Sequence, residues 1–316
     1  MSTVVGRFAP SPTGVLHLGN ARSFLLAWLS VRAQEGTLLM RVEDLDGPRI
    51  RVGAEQECLH DLQWLGLDWD GPIVRQSDRQ DLYADALDQL LQTGLAYPCI
   101  CSRKEVEAAA SAPHAGEEGP IYPGTCRGRF PDPRAILEDP DQAAALRFHA
   151  PAGSVSFHDG FLGPQSFHVA RDLGDFVIAK RDGQAAYQLA VIVDDAAMGV
   201  TEVLRGDDLL SSAARQIQLA EALQLPSPQY LHTPLIVGPD GRRLAKRHGD
   251  TSLKAFRDAG VSAEQILGWL AHASGLQSDA TPTTAAALIP SYDLQKIPPQ
   301  QVVWQGDLKA SMQWRG

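Results

Sequence analysis

The first 44 residues constrain this chain more than any other stretch of it. Residues 4–8 form an apolar run that stops at the turn-forming residues Pro10, Ser11, Pro12, Thr13 and Gly14, and so read as a buried strand. Over residues 19–34, Phe24, Leu25, Trp28, Leu29 and Arg32 recur at helical spacing, and Gly36 closes that helix. Residues 38–44 are a second strand. Strand, loop, helix, strand is one βαβ unit. It makes the two strands parallel, and a parallel sheet needs helices over its faces. The fold class is therefore α/β. A ligand site is expected beyond the carboxyl end of the first strand, where the free N–H groups of the next helix favour an anion.

At 316 residues the chain suits one large α/β core with an insertion and an appended helical segment, and a core of that size needs no covalent staples. A further helix carries Leu82, Ala86, Leu87, Leu90 and Leu91 on one face, with Asp78 as its expected N-cap and Gly94 just past its end. The texture changes between 96 and 180. Ser102 and Glu105 fit a capping box, and short β-like runs follow at 145–150, 155–158 and 166–170. Asp182 and Gly183 suit a hairpin turn between runs 176–181 and 184–189. Residues 185–237 read as apolar strands with a helix at 212–224. From 250 the chain is helical through Ile266, Leu267, Trp269 and Leu270, then rich in Pro and Thr. The expected division is 1–95 and 181–249 as two halves of the sheet domain, 96–180 as the insertion, and 250–316 as a short helical segment.

Net charge is −10, from 28 basic and 38 acidic side chains, which argues against indiscriminate coating of nucleic acid. Two basic patches remain: Arg127, Arg129 and Arg134, and then Arg242, Arg243, Lys246, Arg247 and His248. Either patch alone reads as a solvated loop. No apolar run of about 18 residues suggests a membrane span, and no leader segment is visible, so the cytoplasm is the expected compartment. A reduced protein would not use Cys99, Cys101, Cys126 and the distant Cys58 as a disulfide framework. Three clustered thiolates can hold Zn²⁺ if a fourth ligand closes the tetrahedron. His114 and Tyr122 are the candidates, and chemistry alone favours the histidine; buried, metal-free cysteines are the alternative.

The loop and helix start within residues 7–22 read RFAPSPTGVLHLGNAR. This run resembles the HIGH-motif region of glutamyl-type class I aminoacyl-tRNA synthetases. After a turn at Gly238, Pro239, Asp240 and Gly241, residues 243–249 read RLAKRHG and resemble the KMSKS loop of the same family. A basic loop alone says little; the two motifs in this order and at this distance say much more. The resemblance implies a Rossmann-type class I catalytic domain that activates an amino acid with ATP and Mg²⁺. Attack of a carboxylate on the α-phosphate brings two anions together, so catalysis there is positioning and charge neutralisation. By carry-over, His17 and Lys246 are catalytic, and His17, Gly19, Asn20, Arg243 and Lys246 bind ATP.

The resemblance also implies a glutamate pocket made by Arg7, Ala9, Ser11, Glu43, Tyr187 and Arg205. The chemistry agrees, because L-glutamate needs guanidinium groups for two carboxylates and a carboxylate for its ammonium. The pattern C-x-C…Y-x-x-x-C resembles the structural zinc site of a short glutamyl-synthetase-like subgroup. That implies Zn²⁺ on Cys99, Cys101, Tyr122 and Cys126. The match spans about residues 4–270 and stops where an anticodon-binding domain would follow in a full glutamyl-tRNA synthetase. A short catalytic half of this kind resembles the glutamyl-Q tRNA(Asp) synthetases. They activate glutamate without tRNA and move it to the diol of queuosine at the wobble position of tRNA(Asp). ATP, L-glutamate and tRNA(Asp) bearing queuosine are the implied partners, and a monomer is expected.

The match has departures. Asn20 stands where the HIGH signature ends in histidine, and Arg243 and Ala245 replace the first lysine and the serine of the KMSKS pattern. Three alternatives stay open. One is the core of an ordinary glutamyl-tRNA synthetase, and another is a different nucleotidyltransferase on the same fold. The third is a non-catalytic RNA-binding paralogue, which would be expected to lose His17 or Lys246.

Overall fold

A computed structural model describes residues 3–45, 47, 50–109, 120–139, 141–244 and 250–306. The chain opens with β1 (Val5–Phe8), α1 (Leu18–Arg32) and β2 (Thr37–Val42), followed by α2 (Ala54–Trp64), β3 (Ile73–Arg75) and α3 (Gln80–Gln92). Strands β1, β2 and β3 pair in parallel, Val5 opposite Thr37 and Met40 opposite Ile73. The βαβ unit expected from the sequence is present. Leu25, Leu26 and Leu29 of α1 are fully buried, because the helix spans the sheet face with most of its circumference covered.

The middle of the chain is antiparallel. It holds β4 (Ala96–Cys99), α4 (Arg103–Ala109), α5 (Pro133–Glu138), β5 (Ala145–Phe148), β6 (Val155–Asp159), β7 (Gly163–Phe167) and β8 (Phe176–Ala179). Strands β4, β5 and β8 form one sheet, and β6 and β7 form a separate hairpin. The Ser102–Glu105 capping box opens α4: the Glu105 carboxylate accepts from the Ser102 N–H at 2.6 Å, and the Ser102 hydroxyl accepts from the Glu105 N–H at 3.2 Å.

The chain then returns to parallel pairing with α6 (Tyr187–Ala197), β9 (Glu202–Gly206), α7 (Leu210–Leu223), β10 (Gln229–Thr233) and β11 (Ile236–Val237). Strands β9 and β10 run parallel, and the Thr201 N–H donates to the Val5 carbonyl at 2.8 Å, so this pair lies beside β1. The doubly wound arrangement is complete. Helices α8 (Leu253–Asp258), α9 (Ala263–Ala273) and α10 (Ala285–Leu288) follow, and β12 (Val302–Val303) comes back to pair with β11. Among the described residues no helix is long and apolar enough to cross a membrane.

Three local expectations need correcting. Residues 187–193 are the start of a buried helix, not a strand, since α6 buries Leu189 to Asp195 on all sides. A continuous apolar run has no period to separate the two forms. The turn at Asp182 and Gly183 does form, with Gly183 at φ +81° and the Lys180 N–H bonded to Gln184 O, but its second arm pairs only through Ala185. Asp78 does not cap α3. It lies in a 3₁₀ turn, Gln76–Arg79, and Arg79 is the N-cap.

Candidate active site

The carboxyl ends of β1, β2 and β9 open on a cleft of about 1040 Å³. Arg7, Ala9, Ser11, His17, Gly19, Asn20, Glu43, Tyr187, Arg205 and Arg243 all line it. Residues drawn from five parts of the sequence thus meet in one place. Lys246 and the other residues of 245–249 lie outside the described residues, as does His114.

Backbone bonds hold the loops of this cleft. The Glu43 N–H donates to Pro10 O at 2.9 Å, which ties the end of β2 to the loop after β1. His17 pairs with Ser252 in an antiparallel bridge, with Leu18 N–H bonded to Thr251 O and Leu253 N–H to Leu16 O. The chain leaving the second motif is therefore fastened to the first. His17 Nδ1 also lies 3.4 Å from the Thr251 hydroxyl. Asn20 Oδ1 accepts from the His17 N–H at 3.2 Å and so caps α1. A Cβ on Gly19 would meet nothing within 4 Å, so space stays open at the helix start, where backbone dipoles favour a phosphate. Arg243 pairs with Asp208 at 2.9 Å on the opposite wall.

Behind the cleft lies a buried charge network. Arg41 Nη1 bonds Asp195 Oδ1 at 2.5 Å, Arg41 Nη2 bonds Glu43 Oε1 at 3.1 Å, and Arg7 Nε lies 3.4 Å from Asp195. Asp194 takes Arg79, Gln76 and the Tyr83 hydroxyl. Burial pushes the Glu43 carboxyl up, and Arg41 and Arg7 offset this only in part, leaving it above its ordinary value. For Asp195 burial acts the same way, but Arg41 and Arg7 win and hold it below. Arg205 is clamped as well: its Nε donates to His232 at 3.0 Å, its Nη2 approaches Leu209 O at 3.3 Å, and its guanidinium lies 5.0 Å from the Tyr230 ring centroid. Its buried Nη1 has no hydrogen-bond partner among the described residues.

Sequence reasoning overlooked Arg41, Asp194, Asp195, His232 and Asp159. The signal was there: Arg41 interrupts an apolar strand, and Asp194 and Asp195 end an apolar run. Charges in such places are buried and need partners.

A second cluster lies in the antiparallel region. The sulfurs of Cys99, Cys101 and Cys126 are all within 4.8 Å of one another and could hold a metal ion. The Tyr122 hydroxyl lies 3.4 Å from Cys99 Sγ and 3.6 Å from Cys101 Sγ, and accepts from the Cys126 N–H at 2.8 Å. Arg147 Nε donates to Cys99 Sγ at 3.3 Å, and its guanidinium lies 3.8 Å from the Tyr122 ring centroid. A cation against a thiol and a phenol suits a set whose ligands must lose protons to bind metal. Burial opposes ionisation of Cys126, yet hydrogen bonds from Tyr122 and the Ile100 backbone bring its thiol down to about 7. Cys58 is buried elsewhere, and burial raises it to about 12.

The family model described as "tRNA synthetases class I (E and Q), catalytic domain" matches residues 3–283. Glutamyl-Q tRNA(Asp) synthetase of Symbiobacterium thermophilum is 50% identical over 306 residues, covering 94% of each chain. The protein of the same name from Rhodopirellula baltica is 48% identical over 292 residues, with 89% of this chain and 88% of that one covered. This chain belongs to the glutamyl-Q tRNA(Asp) synthetase family. That family is a group of class I aminoacyl-tRNA-synthetase-type ligases. Its fold likeness extends to a glutamate tRNA ligase of Elizabethkingia meningosepticum solved with its amino acid. The TM-score is 0.83 at 28% identity, with 97% of this chain and 68% of that chain covered. Membership of the synthetase family accounts for a cleft lined by the first motif and by Arg243 and Leu244 at the start of the second. It does not assign a role to each side chain.

Proposed function

We propose that this chain activates L-glutamate with ATP, without RNA, and transfers it to queuosine at the wobble position of tRNA(Asp). The observation that carries the glutamate assignment is the cleft wall itself. Arg7 and Arg205 supply guanidinium groups, Glu43 supplies a carboxylate, and Arg205 Nη1 is buried with no partner among the described residues. An orphaned buried guanidinium nitrogen is costly, and a ligand carboxylate relieves it. Ala9 and Ser11 shape the pocket floor in this reading, and Tyr187 at the start of α6 closes its side.

ATP lies along the start of α1, its phosphates met by the backbone at Gly19, by His17 and Asn20, and by Arg243 and Lys246 from the second motif. Mg²⁺ bound to ATP shares the phosphate charge. His17 and Lys246 stabilise charge that grows on the α-phosphate and the departing pyrophosphate, where one such donor is worth on the order of a hundredfold in rate. Zn²⁺ is held by Cys99, Cys101, Cys126 and Tyr122. With no open position it is structural, and since all four ligands lie within 96–180 it pins that insertion internally, between the catalytic halves at 1–95 and 181–249. The helices α8 to α10 then support the second motif. The protein works as a cytoplasmic monomer in this reading. The acceptor assignment leans on the relatives, whose name states it and whose length this chain matches.

Pyrophosphate exchange into ATP, screened across amino acids with no RNA added, tests the first step. Exchange with glutamate alone is expected. Exchange with a different acid, or none, overturns the reading.

A further inference from the structure

The role of His232 follows from where it lies. It is fully buried in β10, directly beside Arg205 of β9 in the parallel register. Its Nε2 accepts from Arg205 Nε at 3.0 Å, so that nitrogen carries no proton. The proton must then be on Nδ1, which lies 2.6 Å from Asp159 Oδ2. Asp159 is itself fully buried at the end of β6, and its Oδ1 accepts from the N–H groups of Phe161, Leu162 and His232 at 2.9–3.1 Å. With its acceptors used in this way it stays ionised and points its charge at the imidazole. The Gly160 N–H bonds Tyr230 O, and a Cβ on Gly160 would lie 2.9 Å from Leu231, so the hairpin is seated against β10 at this point.

The consequence is a guanidinium whose rotation is set. Nε is spent on His232 and Nη2 approaches Leu209 O, leaving Nη1 as the group without a partner among the described residues. We propose that Asp159 and His232 are positioning residues for substrate recognition: the Asp159–His232 pair fixes the rotation of Arg205 and so the placing of the substrate carboxylate. The inference rests on the glutamate reading of the cleft. Burial disfavours a charged imidazole here; the Asp159 carboxylate opposes this, but the Arg205 cation adds to it, and the net shift is downward, which favours a neutral His232 able to accept. A carboxylate gripped by a guanidinium is sensitive to the angle of the fork, so loss of the relay should weaken glutamate and leave ATP untouched. It also makes the hairpin of the middle region part of the glutamate site, although none of its residues lines the cleft.

The test uses the full chain in glutamate-dependent pyrophosphate exchange. In Asp159→Asn the new amide can donate to Nδ1, which drives the imidazole proton onto Nε2 and against the Arg205 N–H. Asp159→Asn and His232→Phe should each raise the KM for glutamate about tenfold or more while the KM for ATP changes less than twofold. His232→Gln, whose amide oxygen can still accept from Arg205, should recover part of the loss. Should the variants fail to fold, nitrogen chemical shifts of the wild-type histidines decide. A His232 with Nδ1 protonated and Nε2 bare supports the relay, and the opposite tautomer or a charged ring overturns it. Unchanged glutamate KM in folded variants, or equal rises for both substrates, also overturns it. Wild-type protein with no glutamate-dependent exchange would instead remove the reading on which the inference stands.

Discussion

Arg41 and Asp195, 154 residues apart in sequence, meet at 2.5 Å with side chains 0% and 2% exposed. The pair stands directly behind Arg7 and Glu43, so the charges lining the cleft are held by charges that are buried from solvent. Taking two ions out of water is expensive, and a buried pair is tolerated only when both partners stay. Arg41→Met should therefore destabilise the protein by about 3–5 kcal/mol, because Asp195 and Asp194 lose a buried counter-charge. Chemical denaturation measures this directly. A loss under about 1 kcal/mol would mean that solvent reaches these carboxylates after the substitution.

The same pair sets a response to acid. Asp195 is buried, but Arg41 and Arg7 hold it below its ordinary value. A carboxyl depressed in the folded state contributes stability that is full above its unfolded value, about 4 for Asp, and is lost as pH falls below it through the folded value. Stability measured from pH 6 down to pH 3 should fall less steeply in Asp195→Asn than in the wild type. Parallel profiles would show that other carboxyls govern acid unfolding.

Metal content offers an independent check on the middle of the chain. Protein purified without chelator should carry one zinc per chain. Cys101→Ala should lose it and destabilise the 96–180 region, while Cys58→Ser should keep it, because metal binding and local folding are coupled. Elemental analysis reads the result. Full zinc in Tyr122→Phe together with loss in His114→Ala would hand the fourth position to the histidine.

Two single substitutions address the phosphate chemistry. His17→Ala and Lys246→Ala should each slow glutamate-dependent pyrophosphate exchange by on the order of a hundredfold, with folding retained. The loss should appear chiefly in kcat if these groups act on the transition state. Near wild-type rates in both would remove them from the mechanism.

How far the sequence reached depended on the kind of information each feature needs. Strand β1, helix α1 and strand β2 were legible because apolar spacing and Pro and Gly punctuation are local. The cleft was legible because it sits where such a unit always presents its helix start, and because residues 7–22 carry a family pattern. Helix α6 was misread, since Leu189 to Val193 are apolar on every side and leave no period to follow. The Arg41–Asp195 pair and the Asp159–His232–Arg205 relay were missed, because each joins strands and helices that only the tertiary fold brings together. Strand β12 escaped notice for the same reason: two residues have no pattern of their own.

Transfer of labelled glutamate is the most direct test of the central claim. Three acceptors are needed: tRNA(Asp) with queuosine, tRNA(Asp) without it, and tRNA(Glu). The account predicts labelling of the queuosine-bearing tRNA(Asp) alone, through a bond that survives removal of the 3′-terminal adenosine. Contacts that hold the anticodon arm should be salt-sensitive, since they are made to phosphates. Robust charging of tRNA(Glu), lost when its 3′-terminal adenosine is removed, would contradict the account and make the chain an ordinary glutamyl-tRNA synthetase core.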